Sequence, residues 1–417
     1  MNYKLLGTFI VCFILIIFRR PDMLFNPQPW AEDGTIFISD AIYMGFHSYF
    51  IPYAGYYHFI PRLITYLSVL VSEWMGQGIT LVPLFMNLSG IMIAAFCVSY
   101  FVFKRFDKIT PFHLRFISCI FIVSMPGIYE LCGTITNVQW WIGIFWFFVC
   151  LDMVYNQRFP KAWELIFLIP FSLTGVLGVF VIPVCAYLLY IKWKHTKDIK
   201  KLVYDLIVSI ALCAGTVVQI FVALQERVSD IQQDSIMIVT LVPRFVLGGI
   251  FGRLVIPDFK EFVNMYMFST LVLIGVLVLA IIVWSHKDKK HLWFPATFIL
   301  FHCMMTLKGA PFVFTLYREP FPDFGNRYIF IPASIVLIYL FSSLQYFEVK
   351  KSRLIYKNVA LIAVVAMVTI TSMNNYSLAP YKDKNYKVSV SNYNSKGNNK
   401  CSTEINPDGF GFVFPCK

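Results

Sequence analysis

Two adjacent carboxylates, Glu32 and Asp33, stand in Pro29-Trp30-Ala31-Glu32-Asp33-Gly34, shortly after the first apolar run of the chain. They precede Thr35 to Asp40, whose Ile36, Phe37 and Ile38 would rest on a membrane surface. A carboxylate at the edge of a low-dielectric region has a raised pKa, which suits a general base acting on a sugar hydroxyl near neutral pH. The same residues also fit a plain turn at Asp33-Gly34, with Glu32 or Asp33 capping the next helix. The rest of the loop adds weight to chemistry. Tyr43, His47, Tyr49, Tyr53, Tyr56, Tyr57 and His58 supply flat faces with polar tips suited to holding a sugar ring, and Pro61-Arg62 re-enters the apolar region with a cation. An interfacial aromatic belt would use the same residues.

A second group is Thr134-Ile135-Thr136-Asn137-Val138-Gln139-Trp140-Trp141, with Glu130 just upstream. Asn137 and Gln139 can donate and accept hydrogen bonds, and Trp140 can stack on a sugar. A third group is cationic: Arg244, Arg253, Arg318 and Arg327, the last in Gly325-Asn326-Arg327-Tyr328. Arginine at an outer membrane surface opposes the usual orientation bias, so an anion such as a phosphodiester would offset it. Ion pairing with Asp323 or Glu319 would do so as well. The chain contains no Walker A loop, dinucleotide-binding glycine fingerprint, HExxH or CxxC motif. Its histidines are scattered, so neither a cofactor nor a metal site is expected.

The elements that must position these residues follow from composition. Of 417 residues, 58% are hydrophobic and 14% charged, against about 25% charged in soluble domains. That excludes a soluble multidomain enzyme, and the hydrophobicity excludes a disordered chain. The net charge of +12 comes from short basic clusters between apolar runs, which argues for topology and against nucleic acid. Leu5 to Phe18 ends at Arg19-Arg20-Pro21-Asp22, without the small residues of a cleavage site, and reads as a retained first helix. Basic loops at Lys104 to Arg115, Arg158 to Lys161, Lys192 to Lys201, Lys287 to Lys290 and Lys350 to Lys357 belong on the cytoplasmic side.

That assignment leaves the first loop (19–59), the turn from Met125 to Asn137, the loops 225–262 and 308–327 and the tail (374–417) outside. Residues 1–373 would form the transmembrane domain and 374–417 a periplasmic tail. Arg62 to Trp74 is expected to lie at the interface or partly inserted. Further crossings are expected at Ile79 to Phe103, Leu202 to Leu224, Met265 to Trp284, Leu292 to Leu307, Tyr328 to Phe347 and Val359 to Met373. Between basic ends, the apolar stretch 163–191 is broken at Ser172, Thr174, Gly175 and Gly178. It is too long for one crossing of about 20 residues and suits a re-entrant pair of half-helices or two short spans, though a kinked helix would also fit. The expected fold is an all-α polytopic membrane protein of about nine spans. A disulfide between Cys401 and Cys416 would fit a tail in an oxidising compartment, despite Lys382, Lys384 and Lys387.

At these residues the chain resembles the polytopic GT-C-type glycosyltransferases that use lipid-phosphate sugars. The resemblance rests on AEDG at Ala31 to Gly34, TNVQW at Thr136 to Trp140 and GNRY at Gly325 to Tyr328. In length, re-entrant segment and outside tail it resembles the phage-borne serotype-converting O-antigen glucosyltransferases of enteric bacteria. That resemblance implies a GT-C-like bundle of about nine to eleven transmembrane helices in the bacterial inner membrane, N-terminus cytoplasmic and C-terminus periplasmic. It implies an undecaprenyl-phosphate glucose donor and a lipid-linked O-antigen acceptor, with membrane lipid as surroundings and no nucleic acid. Glu32 or Asp33 would be the base, Glu32 being favoured. Arg327 with Arg62 or Arg244 would neutralise phosphate, and His58, Asn137, Gln139 and Trp140 would bind sugar. A lipid-linked sugar flippase or an O-antigen polymerase are the competing functions.

Overall fold

The computed structural model describes residues 3–126, 128–195, 198–226, 292–309, 327–344 and 355–417. Among them the principal helices are, in chain order, α1 (Tyr3–Arg19), α2 (Ser39–Met44), α3 (Phe59–Trp74), α4 (Val82–Ser99), α5 (Phe112–Ser124), α6 (Val138–Asn156), α7 (Leu165–Ser172), α8 (Val181–His195), α9 (Ile199–Glu226), α10 (Trp293–Gly309), α11 (Arg327–Leu344) and α12 (Ile355–Asn374). A hairpin of β1 (Asn399–Ile405) and β2 (Phe410–Cys416) follows. Four helical stretches among the described residues are long and apolar enough to cross a membrane: Val82–Val102, Val138–Asn156, Leu177–His195 and Ile199–Gln225. The expected crossing Met265 to Trp284, the expected loop 225–262 from residue 227 onward and residues 310–326, with Arg244, Arg253, Arg318, Glu319 and Asp323, lie outside the described residues; Gln225 and Glu226 end α9.

The surfaces of these helices are those of a protein dissolved in lipid. α9 exposes Val203, Ile207, Ile210, Phe221 and Leu224, and buries Asp205, Ser209, Thr216 and Gln219. A soluble amphipathic helix does the reverse. α6 is buried along nearly its whole length, consistent with a sequence apolar on every side. The chain is therefore an all-α polytopic membrane protein, and its tail departs from the all-α expectation by carrying the hairpin.

The chain divides into two compact units. The first comprises Met1–Arg19, Val98–Leu131 and Asp230–Leu378. Within it α5 packs against α1, α11 and α12. Arg19, at the end of α1, donates to the backbone carbonyls of Val123 at 3.1 Å and Asn375 at 3.3 Å, joining the ends of three helices.

The second unit comprises Arg20–Cys97, Cys132–Ser229 and Ala379–Lys417, so the tail from Ala379 packs with the first loop. The stretch 163–191 is interrupted: α7 ends at Ser172, irregular chain follows to Val176, and a short 3-10 turn over Leu177–Phe180 leads into α8. α7 spans only about 12 Å at 1.5 Å per residue, whereas Leu177–His195 can cross alone. The backbone freed by the break is satisfied by protein. Phe59 donates its N–H to Leu173 O at 3.1 Å, Gly175 donates to Tyr57 O at 3.2 Å, and Thr174 Oγ1 accepts from Ile60 N at 3.1 Å. Gln219 of α9 holds both backbone groups of Tyr57, at 2.7 and 2.9 Å.

The hairpin turns at Asn406-Pro407-Asp408-Gly409, with Gly409 at φ 90°, and pairs Ile405 with Phe410 and Asn399 with Cys416. Thr403, Ile405, Phe412, Phe414 and Cys416 form its buried face. Cys401 and Cys416 are joined by a disulfide.

Candidate functional site

The carboxylates sit where the chain reverses after Trp30. Ala31 takes φ 41°, a left-handed conformation costly for a residue with a Cβ, and its N–H donates to Asn406 O at 2.5 Å. Asp33 N–H then donates to Trp30 O at 2.8 Å, and a wide helical turn runs over Asp33–Ile38. Gly34 lies under the hairpin: a Cβ there would collide with Ile405 and approach Phe412 at 3.2 Å. Trp30 stacks on Tyr381 with ring centroids 4.6 Å apart. Phe37 and Ile38 are buried, so the face expected on the membrane surface points into the protein.

The two carboxylates differ sharply. Glu32 is half-buried and occupies the helix-cap position without making a side-chain cap bond. Asp33 is 1% exposed. Its Oδ1 accepts from the Thr136 backbone N–H at 2.8 Å and from the Thr136 hydroxyl, while Oδ2 is buried with no hydrogen-bond partner among the described residues. Burial pushes the Asp33 carboxyl up to about 7; the Thr136 bonds pull against this and the Glu32 charge adds to it.

Beyond Asp33, one helical face continues through Phe37 to Asp40. Arg62 Nη1 donates to Asp40 Oδ2 at 2.8 Å, and the guanidinium lies over the Phe37 ring at 5.5 Å. Arg62 is buried, yet its Nε and Nη2 have no hydrogen-bond partner among the described residues. His58 is buried beside it, its ring 4.5 Å from Tyr56, 5.3 Å from Phe37 and 5.8 Å from Tyr53. Burial drives its pKa down to about 3, the Arg62 charge reinforces this and the Tyr53 backbone opposes it, so His58 is neutral at physiological pH.

The Thr136–Trp140 stretch reaches this loop through two bonds. One is Thr136 to Asp33; the other runs from Gln139 Nε2 to Tyr56 OH at 3.1 Å. Asn137 Nδ2 donates to Thr134 Oγ1 at 3.2 Å, and Trp140 is buried. The break contributes as well: Gly175, at φ 73°, passes so close that a Cβ there would lie 2.5 Å from Gln139 Oε1. Glu32, Asp33, His58, Arg62, Asn137, Gln139 and Trp140 thus share the second unit. Tyr43 and His47 turn outward while Tyr49 is buried, which splits the aromatic cluster of the loop.

Thr136 and Asp40 are the partners the sequence reading did not single out. The spacing of Asp33, Phe37 and Asp40 over two helical turns was the available signal for Asp40. In the first unit, Arg327 opens α11 and lies 3.4 Å from the buried Glu130 carboxylate, with its guanidinium 5.3 Å from the Tyr328 ring. Arg244 is outside the described residues. Among the described residues no group of three or more His, Cys, Asp or Glu could hold a metal ion.

No protein-family profile matches the chain. No curated protein sequence matches it. Among solved structures it is similar to the Archaeoglobus fulgidus oligosaccharyltransferase, determined with zinc and sulfate, at 11% identity and a TM-score of 0.40 over 90% of this chain and 54% of that one. The chain therefore spans about half the length of that protein.

Proposed function

We propose that this chain is an integral-membrane glycosyltransferase of GT-C type using a lipid-phosphate-linked sugar. More narrowly, it moves glucose from undecaprenyl-phosphate glucose to a sugar of a lipid-linked O-antigen repeat on the periplasmic side of the bacterial inner membrane. The observation that carries this is Asp33: a buried carboxyl raised to about 7, anchored through one oxygen and unpartnered at the other among the described residues. A group with those properties can take a proton at neutral pH.

In the proposed step, an acceptor hydroxyl gives its proton to Asp33 Oδ2 as its oxygen attacks the anomeric carbon. The bond from that carbon to the phosphate oxygen breaks, the electron pair leaves with polyprenyl phosphate, and the configuration inverts. The phosphate gains negative charge, which the buried Arg62, with two N–H-bearing nitrogens unpartnered among the described residues, would stabilise. Neutral His58, with Asn137, Gln139, Tyr56 and Trp140, would orient sugar. The Cys401–Cys416 disulfide supports an oxidising compartment for the tail and the loop it packs on.

The test is transfer of labelled glucose from undecaprenyl-phosphate glucose to O-antigen acceptor by Asp33→Asn and Glu32→Gln variants. Asp33→Asn is expected to lose at least about a hundredfold, the usual scale for a positioned base. Retained transfer in Asp33→Asn with loss in Glu32→Gln would move the base to Glu32. Full transfer in both variants would overturn the assignment of the base to either carboxylate, and absence of transfer by the wild-type chain would favour a flippase.

A further inference from the structure

We propose that Tyr43–Phe50, together with the outer stripe of α3, forms a lipid-embedded wedge that seats the first loop in the bilayer. Phe46 is 58% exposed and Phe50 65%, and Tyr43 and Met44 beside them are also exposed. The segment is held by Tyr49, which is 7% exposed and packs its ring 5.9 Å from Phe59 and 5.8 Å from Tyr66 of α3. Phe46 stands on Tyr49 at 4.9 Å and on Phe50 at 5.7 Å. The outward rings are therefore fixed by an inward one.

α3 continues the same surface. Leu67, Leu70, Val71 and Trp74 are exposed at helical spacing, Trp74 to 86%, whereas Thr65, Ser68 and Ser72 are buried. The buried hydroxyls are satisfied locally: Thr65 donates to Pro61 O, Ser68 donates to Ile64 O, and Ser72 accepts from Leu81 N. A helix with its polar face inward and its apolar face outward is stable when the surrounding medium is hydrocarbon. α3 packs against α7, which itself exposes Ile166, Phe167 and Ile169.

Charge selects lipid over a protein partner. Between Asp40 and Trp74 the charged residues are Asp40, Arg62 and Glu73. Asp40 is held by Arg62, and Glu73 accepts from Tyr393 OH at 2.5 Å. The face thus offers apolar and aromatic groups and no charged one, His47 being its one exposed histidine among the described residues. Tyr43 and Trp74 are residue types that settle at the headgroup boundary. The wedge would fix the depth of Asp33 and Arg62 at the level of a lipid-borne phosphate. Its lipid contact is independent of whether the loop catalyses transfer.

The experiment uses the full chain in nanodiscs of phosphatidylethanolamine and phosphatidylglycerol, in a Cys213→Ser background, since Cys213 is half-buried whereas the other free cysteines among the described residues are buried. Nitroxide labels at Phe46→Cys and Phe50→Cys are compared with a label at Ile207→Cys on the exposed face of α9 and one at Lys382→Cys in the tail, by power saturation with oxygen and with a water-soluble nickel chelate. The wedge labels are expected to match Ile207, favouring oxygen several-fold over nickel. Nickel-dominated relaxation like that of Lys382 overturns the proposal, whatever the transfer activity. On the unmodified protein, a membrane-partitioned diazirine is expected to label the 43–50 peptide as it does the α9 peptide. Labelling of α9 alone overturns it too.

Discussion

Replacing Asp33 with Asn should stabilise the protein, by an amount that depends on pH, while lowering the proposed transfer by at least about a hundredfold. The carboxyl is raised from 3.8 to about 7, chiefly by burial. Each pKa unit corresponds to about 1.4 kcal/mol between the two protonation states. Below pH 3.8 the group is protonated in folded and unfolded chains alike and imposes no penalty. Between 3.8 and 7 the unfolded chain ionises while the folded one resists, so stability falls as pH rises, and above 7 the deficit levels off at about 4 kcal/mol. Asn carries no charge, and its Oδ1 can still accept from the Thr136 N–H and hydroxyl. Asp33→Asn should therefore be more stable by up to about 4 kcal/mol at pH 8 and by about 2 kcal/mol at pH 5. The assay is thermal unfolding of purified wild-type and variant protein at both pH values, followed by tryptophan fluorescence, with glucosyl transfer measured in parallel. An unchanged or lowered Tm for Asp33→Asn at pH 8, or a gap that does not shrink at pH 5, would refute the claim that this carboxyl is held against its solvation preference.

Further predictions concern the same neighbourhood. Wild-type kcat/KM for transfer should rise with pH through about 7 as Asp33 ionises, and Glu32→Gln should move that limb to lower pH by removing a charge that raises Asp33. Thr136→Val removes the hydroxyl donor that favours the carboxylate and should move the limb up by about one to two pH units, since such a bond is worth about 1.5–3 kcal/mol; the pH profile of transfer reads both shifts. Gly175→Ala places a Cβ against Gln139 at a left-handed φ and should cost about 1–2 kcal/mol from backbone strain alone, plus the displacement of Gln139. Adding Gln139→Ala should recover only the second part, as a double-mutant cycle in unfolding would reveal. Cys401→Ser opens a loop of sequence separation 15 and should cost about 3 kcal/mol, matched by wild type under reductant in the same melt.

The membrane class was legible because it depends on composition and run length, which local sequence carries in full. Helix positions were legible for the same reason: Ile79 to Phe103 was expected to cross, and Val82–Val102 is helical and long enough. The break near Thr174-Gly175 was marked by its own residues, but not what satisfies it, since Tyr57, Ile60 and Gln219 are remote in the chain. The hairpin had a visible turn in Asn406-Pro407-Asp408-Gly409, flanked by Thr403 and Ile405 on one side and Phe412 and Phe414 on the other. Expecting one helical class throughout hid that alternation. In the site, the acidic dipeptide and the TNVQW stretch were legible as residue types. Which carboxylate is buried was not, because the contacts that distinguish Asp33 from Glu32, such as the bond to Thr136, 103 residues further along the chain, are tertiary. Sequence favoured Glu32; the proposed base is Asp33, for its burial and for its oxygen unpartnered among the described residues.

The break after Ser172 has a consequence for biogenesis. Tyr57 to Ile60 leave the ribosome well before Leu173 to Gly175, and Gln219, which holds Tyr57, leaves last. A short helix with open backbone ends cannot rest stably in hydrocarbon, so α7 must either wait at the translocon or slide in against a receptor strand already delivered. Maturation of this protein is thus a late docking event, and the window between synthesis of Gly175 and of Gln219 is when a nascent chain would be most exposed to quality-control proteolysis.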